Sequence, residues 1–275
     1  MKLSQATLPD YFTIADSANS WYKEPTNTFD FVDNDSCTLL VTIGDSWTYG
    51  DKLPVRTEQV YGRLVADSIG ADWLNLGLCA QGNFWIASMV EELVAVIPKL
   101  DYDKIYVICI FGGVGRWFNT EYDVYLNYVD WFNNNIHEPQ DFDRLLPWLN
   151  DECVHRILTA LEPFLNVQLK IGTHYLDPIG LDRLRSEQLL DTPWYRVIGC
   201  TANESVYTCV YWERISTAIE FINPEYHKWF KAWVVDIIDR TLRRVEMLKT
   251  PGKFVDYHPV PEGHRLWANY IVENL

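Results

Sequence analysis

Two kinds of apolar spacing alternate along the first two-thirds of the chain. "CTLLVTIGDS" (37–46) is a short continuous apolar run closed by Gly44, which predicts a buried strand ending at Ser46. After a loop with Pro54, "TEQVYGRLVADSIG" places apolar residues at 60, 61, 64, 65 and 69 ahead of Gly70. That spacing predicts an amphipathic helix with a glycine stop. "DWLNLGL" (72–78) predicts a second strand. "NFWIASMVEELVAVIP" repeats the helical spacing at 86, 89, 90, 93, 94 and 97, and Pro98 ends it. "DKIYVICIFGG" (103–113) and "NVQLKIGTHYLDP" (166–178) predict a third and a fourth strand. Strand and helix in alternation predict an α/β chain with a parallel sheet covered on both faces. Strands that are apolar nearly throughout fit that burial. Catalytic groups of such sheets sit beyond the carboxyl ends of the strands, where Ser46, Gly112 and Gly113 stand.

Two segments break the alternation. Residues 117–150 are rich in aromatics, Asn and Asp, and residues 176–222 follow no clear period. Both read as insertions that could cover a site. Beyond them, 223–250 predicts a long helix, with Asn223 as N-cap and Pro224 in the first turn. A last helix starts near Pro261 and carries Leu266, Trp267, Tyr270 and Ile271 on its apolar side.

Composition adds exclusions. A formal charge of -15 opposes binding to nucleic acid or to an anionic membrane, because Lys and Arg supply that attraction. No apolar run reaches the length of a membrane span, and "MKLSQATLPDYF" shows no secretory signal. The six cysteines include no C-x-x-C pair. Cys109, inside "IYVICIF", reads as a small buried hydrophobe. Cys200 and Cys209 could close a hairpin disulfide, but reduced thiols are expected. His137, His155 and His227 share no ligand spacing, so no metal and no cofactor are expected. The 15% of aromatic residues are expected mainly in the core, although exposed rings would stack on sugar faces.

The candidate chemistry lies at the two ends of the α/β pattern. Ser46 follows the first strand, in "TIGDSWTYGD". Asp256 and His258 precede the last helix, in "FVDYHPVPEGHRLWANYI". A His is the usual base for a Ser hydroxyl, and a carboxylate fixes the ring and stabilises the imidazolium. A Ser after a strand also serves as an ordinary cap or turn residue, and D-x-H-P as an ordinary proline turn. A doubly wound sheet could bring both loops to one edge. His174, closing the fourth strand, could line the same place, and His264 reads as structural.

These blocks resemble those of the SGNH, or GDSL, hydrolase family. "TIGDSWTYGD" resembles its first block, "LNLGLCAQGN" its second and "VDYHPVPEGHRLWANYI" its last, with "YVICIFGGVGRW" where the third belongs. The resemblance covers about 38–117, 167–178 and 251–275. It implies one domain over 1–275: a three-layer α/β/α, flavodoxin-like parallel sheet with aromatic-rich insertions at about 117–166 and 179–222. It implies Ser46, His258 and Asp256 as a catalytic triad, with the backbone N–H groups of Ser46 and Ala80 toward the oxyanion. The family's second block has Gly where Ala80 stands. Its third block has an Asn donor where this chain has Val114, and losing one such donor costs on the order of 3 kcal/mol in the transition state. Asn83 or Arg116 could replace it; Asn83 could equally cap a helix, and Arg116 could equally pair with an acid. Asp45 and Arg116 are expected near the substrate.

The resemblance implies a serine esterase acting on a small-molecule or glycan ester, through an acyl-enzyme on Ser46. The aromatic insertions favour a carbohydrate O-acyl ester. The alternative is a binding or structural module on the same fold with little or no hydrolysis, for which Val114 speaks. The form GDSWTYGD with GGVGR is similar to SGNH proteins carried by bacteriophages, so the expected location is the cytoplasm or a virion. Sequence leaves the oligomeric state open.

Overall fold

The computed structural model describes residues 2–4, 8, 29–79, 81–112, 145–174, 180–198, 254–255 and 258–275. Five strands make one sheet: β1 (Asp30–Val32), β2 (Thr38–Gly44), β3 (Asp72–Asn75), β4 (Lys104–Phe111) and β5 (Val167–Thr173). Their order is β1-β3-β2-β4-β5, with β3, β2, β4 and β5 parallel and β1 antiparallel at the edge. The parallel strands therefore run second, first, third, fourth, the flavodoxin-like order. The chain leaves β2 toward β3 on one side and later returns to β4 on the other. Right-handed crossovers then place the following helices on opposite faces.

Alternation along the strands divides the core in two. Leu39, Val41, Ile43, Ile105, Val107, Cys109 and Phe111 face one layer, built by α4 (Asn83–Val96) and α5 (Leu145–Leu161). Leu40, Ile108 and Ile110 face the other, built by α3 (Tyr61–Ile69), the short α6 (Trp194–Val197) and α7 (Pro261–Glu273), with Trp73, Trp194 and Trp267 fully buried among them. The three-layer α/β/α expectation and the buried place of Cys109 are borne out. Each buried Leu, Ile or Val contributes about 1.5–3 kcal/mol against exposure, so either layer outweighs any local propensity.

The structure departs from the sequence expectation in three places. The helix expected over 57–70 breaks into α2 (Arg56–Gln59) and α3, because the buried Val60 is extended, with φ -69° and ψ 142°. The break frees the Tyr61 N–H, which donates to His264 Nδ1 on α7 at 3.3 Å. The span 117–166, read as an insertion, supplies in its second half the crossover helix α5, with Cys153, Val154, Ile157 and Leu161 against the sheet. β1 was not foreseen: three residues pair Asp30–Val32 with Trp73–Asn75. The long helix expected at 223–250 lies outside the described residues, as do Cys200 and Cys209. No helix among the described residues is long and apolar enough to cross a membrane.

Candidate active site

β2 ends at Gly44, and the chain turns at once into α1 (Ser46–Tyr49). Asp45 caps this turn: its Oδ1 accepts from Trp47 N–H at 3.0 Å. Gly50, left-handed at φ 84°, closes the other end. Gly50 N–H and Asp51 N–H both donate to the Ser46 carbonyl, at 3.0 and 2.9 Å, the six-to-one closure that ends many helices. The turn is thus tied at both ends, and Ser46 and Asp51 are bonded through the main chain.

The loop after β3 grips α1 from the side. Asn75 Nδ2 donates to the Thr48 carbonyl at 3.2 Å, and its Oδ1 accepts from Gly77 N–H at 3.0 Å. A Cβ on Gly77 would lie 2.5 Å from Tyr49 N and 2.7 Å from the Thr48 carbonyl carbon, so only glycine lets the backbones approach this closely. Thr48 turns inward, with Oγ1 3.3 Å from the Tyr61 hydroxyl.

Ser46 stands where the strand order reverses, between the carboxyl ends of β2 and β4. It is 5% exposed, and its hydroxyl makes no hydrogen bond to the described residues. His258 arrives from far along the chain on β7 (His258–Pro259), which pairs with β6 (Phe254–Val255) in a hairpin and packs against α1. Its Nε2 lies 3.5 Å from Asp51 Oδ2, and both side chains are about one-seventh exposed. Asp256, two residues before His258, lies outside the described residues.

Two further histidines pack close by. His174 follows β5 and is fully buried, stacked on Trp47 at 4.7 Å, with Nε2 3.2 Å from Asp45 Oδ1. Asp45, expected near the substrate, is 1% exposed; its Oδ1 caps α1 and lies beside this imidazole. His264 is fully buried between Tyr61 and Trp194. Burial, with the nearby His258 and His174, pushes its imidazole down to about 3, so it is neutral at pH 7.

Asn83 does not cap α4, where Gly82 stands at the N-cap. Its Oδ1 accepts from Gly112 N–H at 2.9 Å, and its Nδ2 donates to Asn150 Oδ1 at 2.8 Å. One amide hydrogen remains for another acceptor. The side chain thereby links the start of α4, the end of β4 and α5. Ala80, Val114 and Arg116 lie outside the described residues. So does most of the aromatic material expected to roof the site. The rings described in 180–198, Trp194 and Tyr195, are buried, and Trp194 packs edge-on against Trp47 at 5.0 Å.

The fold has counterparts among solved structures. The chain is similar to G-D-S-L family lipolytic proteins. That of Desulfitobacterium hafniense DCB-2 is 13% identical over 86% of this chain and 99% of its own, with a TM-score of 0.43. That of Veillonella parvula DSM 2008 is 13% identical over 86% and 97%, with a TM-score of 0.38. An acetyl xylan esterase of the rumen bacterium Butyrivibrio proteoclasticus is 14% identical over 86% of this chain and 63% of that one, with a TM-score of 0.39. No family model and no curated protein matches the chain.

Asp45 and His174, both expected at the site, do come together at the end of β2 and β5, whereas the nearness of Asp51 to His258 was not read from the sequence. Asp51 stood in plain view within "GDSWTYGD". Its five-residue distance from Ser46 signals contact only once Gly50 is known to fold the chain back.

Proposed function

We propose that the protein is a serine ester hydrolase with Ser46 as nucleophile and His258 as base, acting on an acyl ester for which a carbohydrate O-acyl ester is the favoured class. One observation carries the reading: Ser46 is presented on a braced turn at the sheet's reversal point, and β7 brings His258 onto that turn. In the first step Ser46 Oγ attacks the acyl carbon while His258 takes its proton. The imidazolium then protonates the leaving alcohol, and the acyl group stays on Oγ. Water, deprotonated by the same imidazole, releases the acid and restores Ser46. The sequence reading assigns Asp256 to the imidazole, and the backbone N–H groups of Ser46 and Ala80 with the Asn83 amide to the oxyanion. Such donors act on charge that develops only in the transition state.

Labelling by a fluorophosphonate and hydrolysis of p-nitrophenyl acetate test this reading. Wild type should react with both, slowly, and Ser46→Ala with neither. Equal residual rates in the two would remove Ser46 from the mechanism. A binding module on the same fold is the second reading. It is favoured by Asn83, whose oxygen and one N–H are already bound within the protein. A wild type that binds glycan esters but takes no label would support it.

A further inference from the structure

We propose that Asp51, in the place the sequence reading gives to Asp256, is the positioning carboxylate for His258, so that the nucleophile and the group that orients its base belong to one turn. This rests on the reading of Ser46 and His258 as nucleophile and base. Three observations meet at Asp51. Its Oδ2 lies 3.5 Å from His258 Nε2. Its backbone N–H is bonded to the Ser46 carbonyl at 2.9 Å, behind a left-handed Gly50. Both side chains are largely withdrawn from water, where a charge pair is screened less than at the surface. Lys52 Nζ, 3.9 Å from the other oxygen, is more exposed and too distant for a hydrogen bond. The spacing S-x-x-x-G-D thus brings a carboxylate to the imidazole from the turn that carries Ser46.

This assignment of Asp51 would set the proton route. With Nε2–H facing Asp51, the basic lone pair of neutral His258 is on Nδ1. The proton leaving Ser46 Oγ binds there as the Oγ–acyl bond forms. The ring then carries two N–H groups and one positive charge, held against the Asp51 carboxylate, which stays ionised. Return of the Nδ1 proton to the leaving alcohol restores the neutral ring. A contact of 3.5 Å in the resting protein is expected to shorten as the ring becomes charged.

The test uses the full chain labelled with 15N-histidine. At about pH 8, above the ordinary imidazole range, the long-range proton–nitrogen spectrum should show His258 protonated on Nε2. Asp51→Asn should disturb that pattern and lower kcat and the labelling rate by roughly 10²-fold, with KM little changed. Asp51→Glu should recover part of the loss. An Nδ1–H tautomer in the wild type would overturn the proposal even if the variants failed to fold. So would an unchanged rate and spectrum in Asp51→Asn, or the same effects arising from Asp256→Asn alone. Failure of the hydrolase reading would look different: Ser46→Ala would match wild type in rate while the His258–Asp51 signature remained.

Discussion

Acid should destabilise this protein through His264 before it protonates most carboxylates. The ring is fully buried, and its imidazole is pushed from 6.5 down to about 3, first by burial and then by His258 and His174. The unfolded chain binds a proton on this residue near 6.5, the folded chain only near 3. Between those values the unfolded state holds more protons, so stability rises with pH. The penalty is negligible above pH 7 and grows as pH falls. At pH 5 it amounts to about 2 kcal/mol, one and a half pH units below the unfolded value at 1.36 kcal/mol each. Tyr61 N–H donates to Nδ1, which leaves the proton on Nε2 and makes Asn the closest neutral stand-in for the acceptor. His264→Asn should cost about 1–2 kcal/mol at pH 7 and remove most of the drop between pH 7 and pH 5. Urea unfolding at both pH values, followed by tryptophan fluorescence, measures it; Trp194 packs 5.0 Å from the imidazole and reports locally. If wild type and His264→Asn lost the same stability on acidification, the burial argument for this residue would be refuted.

Two other substitutions probe the scaffold of the site. Gly77→Ala puts a methyl against the backbone of Thr48 and Tyr49, so it should cost about 1–3 kcal/mol and, on the proposed function, reduce hydrolysis of p-nitrophenyl acetate by moving α1; a variant with wild-type melting temperature and rate would show that the turn yields freely. Asn83→Ala removes the acceptor of Gly112 N–H and a donor to Asn150 Oδ1, which should cost about 2 kcal/mol, and it should lower kcat about tenfold or more if the remaining amide hydrogen serves the oxyanion. Stability loss with kcat unchanged, measured well below the melting temperature, would confine Asn83 to holding α4, β4 and α5 together.

Local pattern was enough to place β2, β3, β4, β5 and α4, and to set Ser46 at a strand end, because a buried strand must be apolar throughout and a covering helix must be apolar on one side. The layered α/β class followed from the order of those patterns. α5 has the same kind of signal in Cys153, Val154, Ile157 and Leu161, but the aromatic, Asn- and Asp-rich stretch before it concealed its start. β1 is too short to carry any period, and only its pairing with β3 makes it a strand. The break at Val60 was beyond local reading too, since it exists to seat a buried Val and to offer Tyr61 N–H to a histidine 203 positions away. For the site, the sequence named Ser46 and His258 as chemically able, but that β7 packs against α1 was decided by the tertiary structure. The nearness of Asp51 to His258 was decided by tertiary structure. Distance in space, not in sequence, sets which side chains meet, and the left-handed Gly50 turns the chain at Asp51 toward the place where β7 delivers the imidazole.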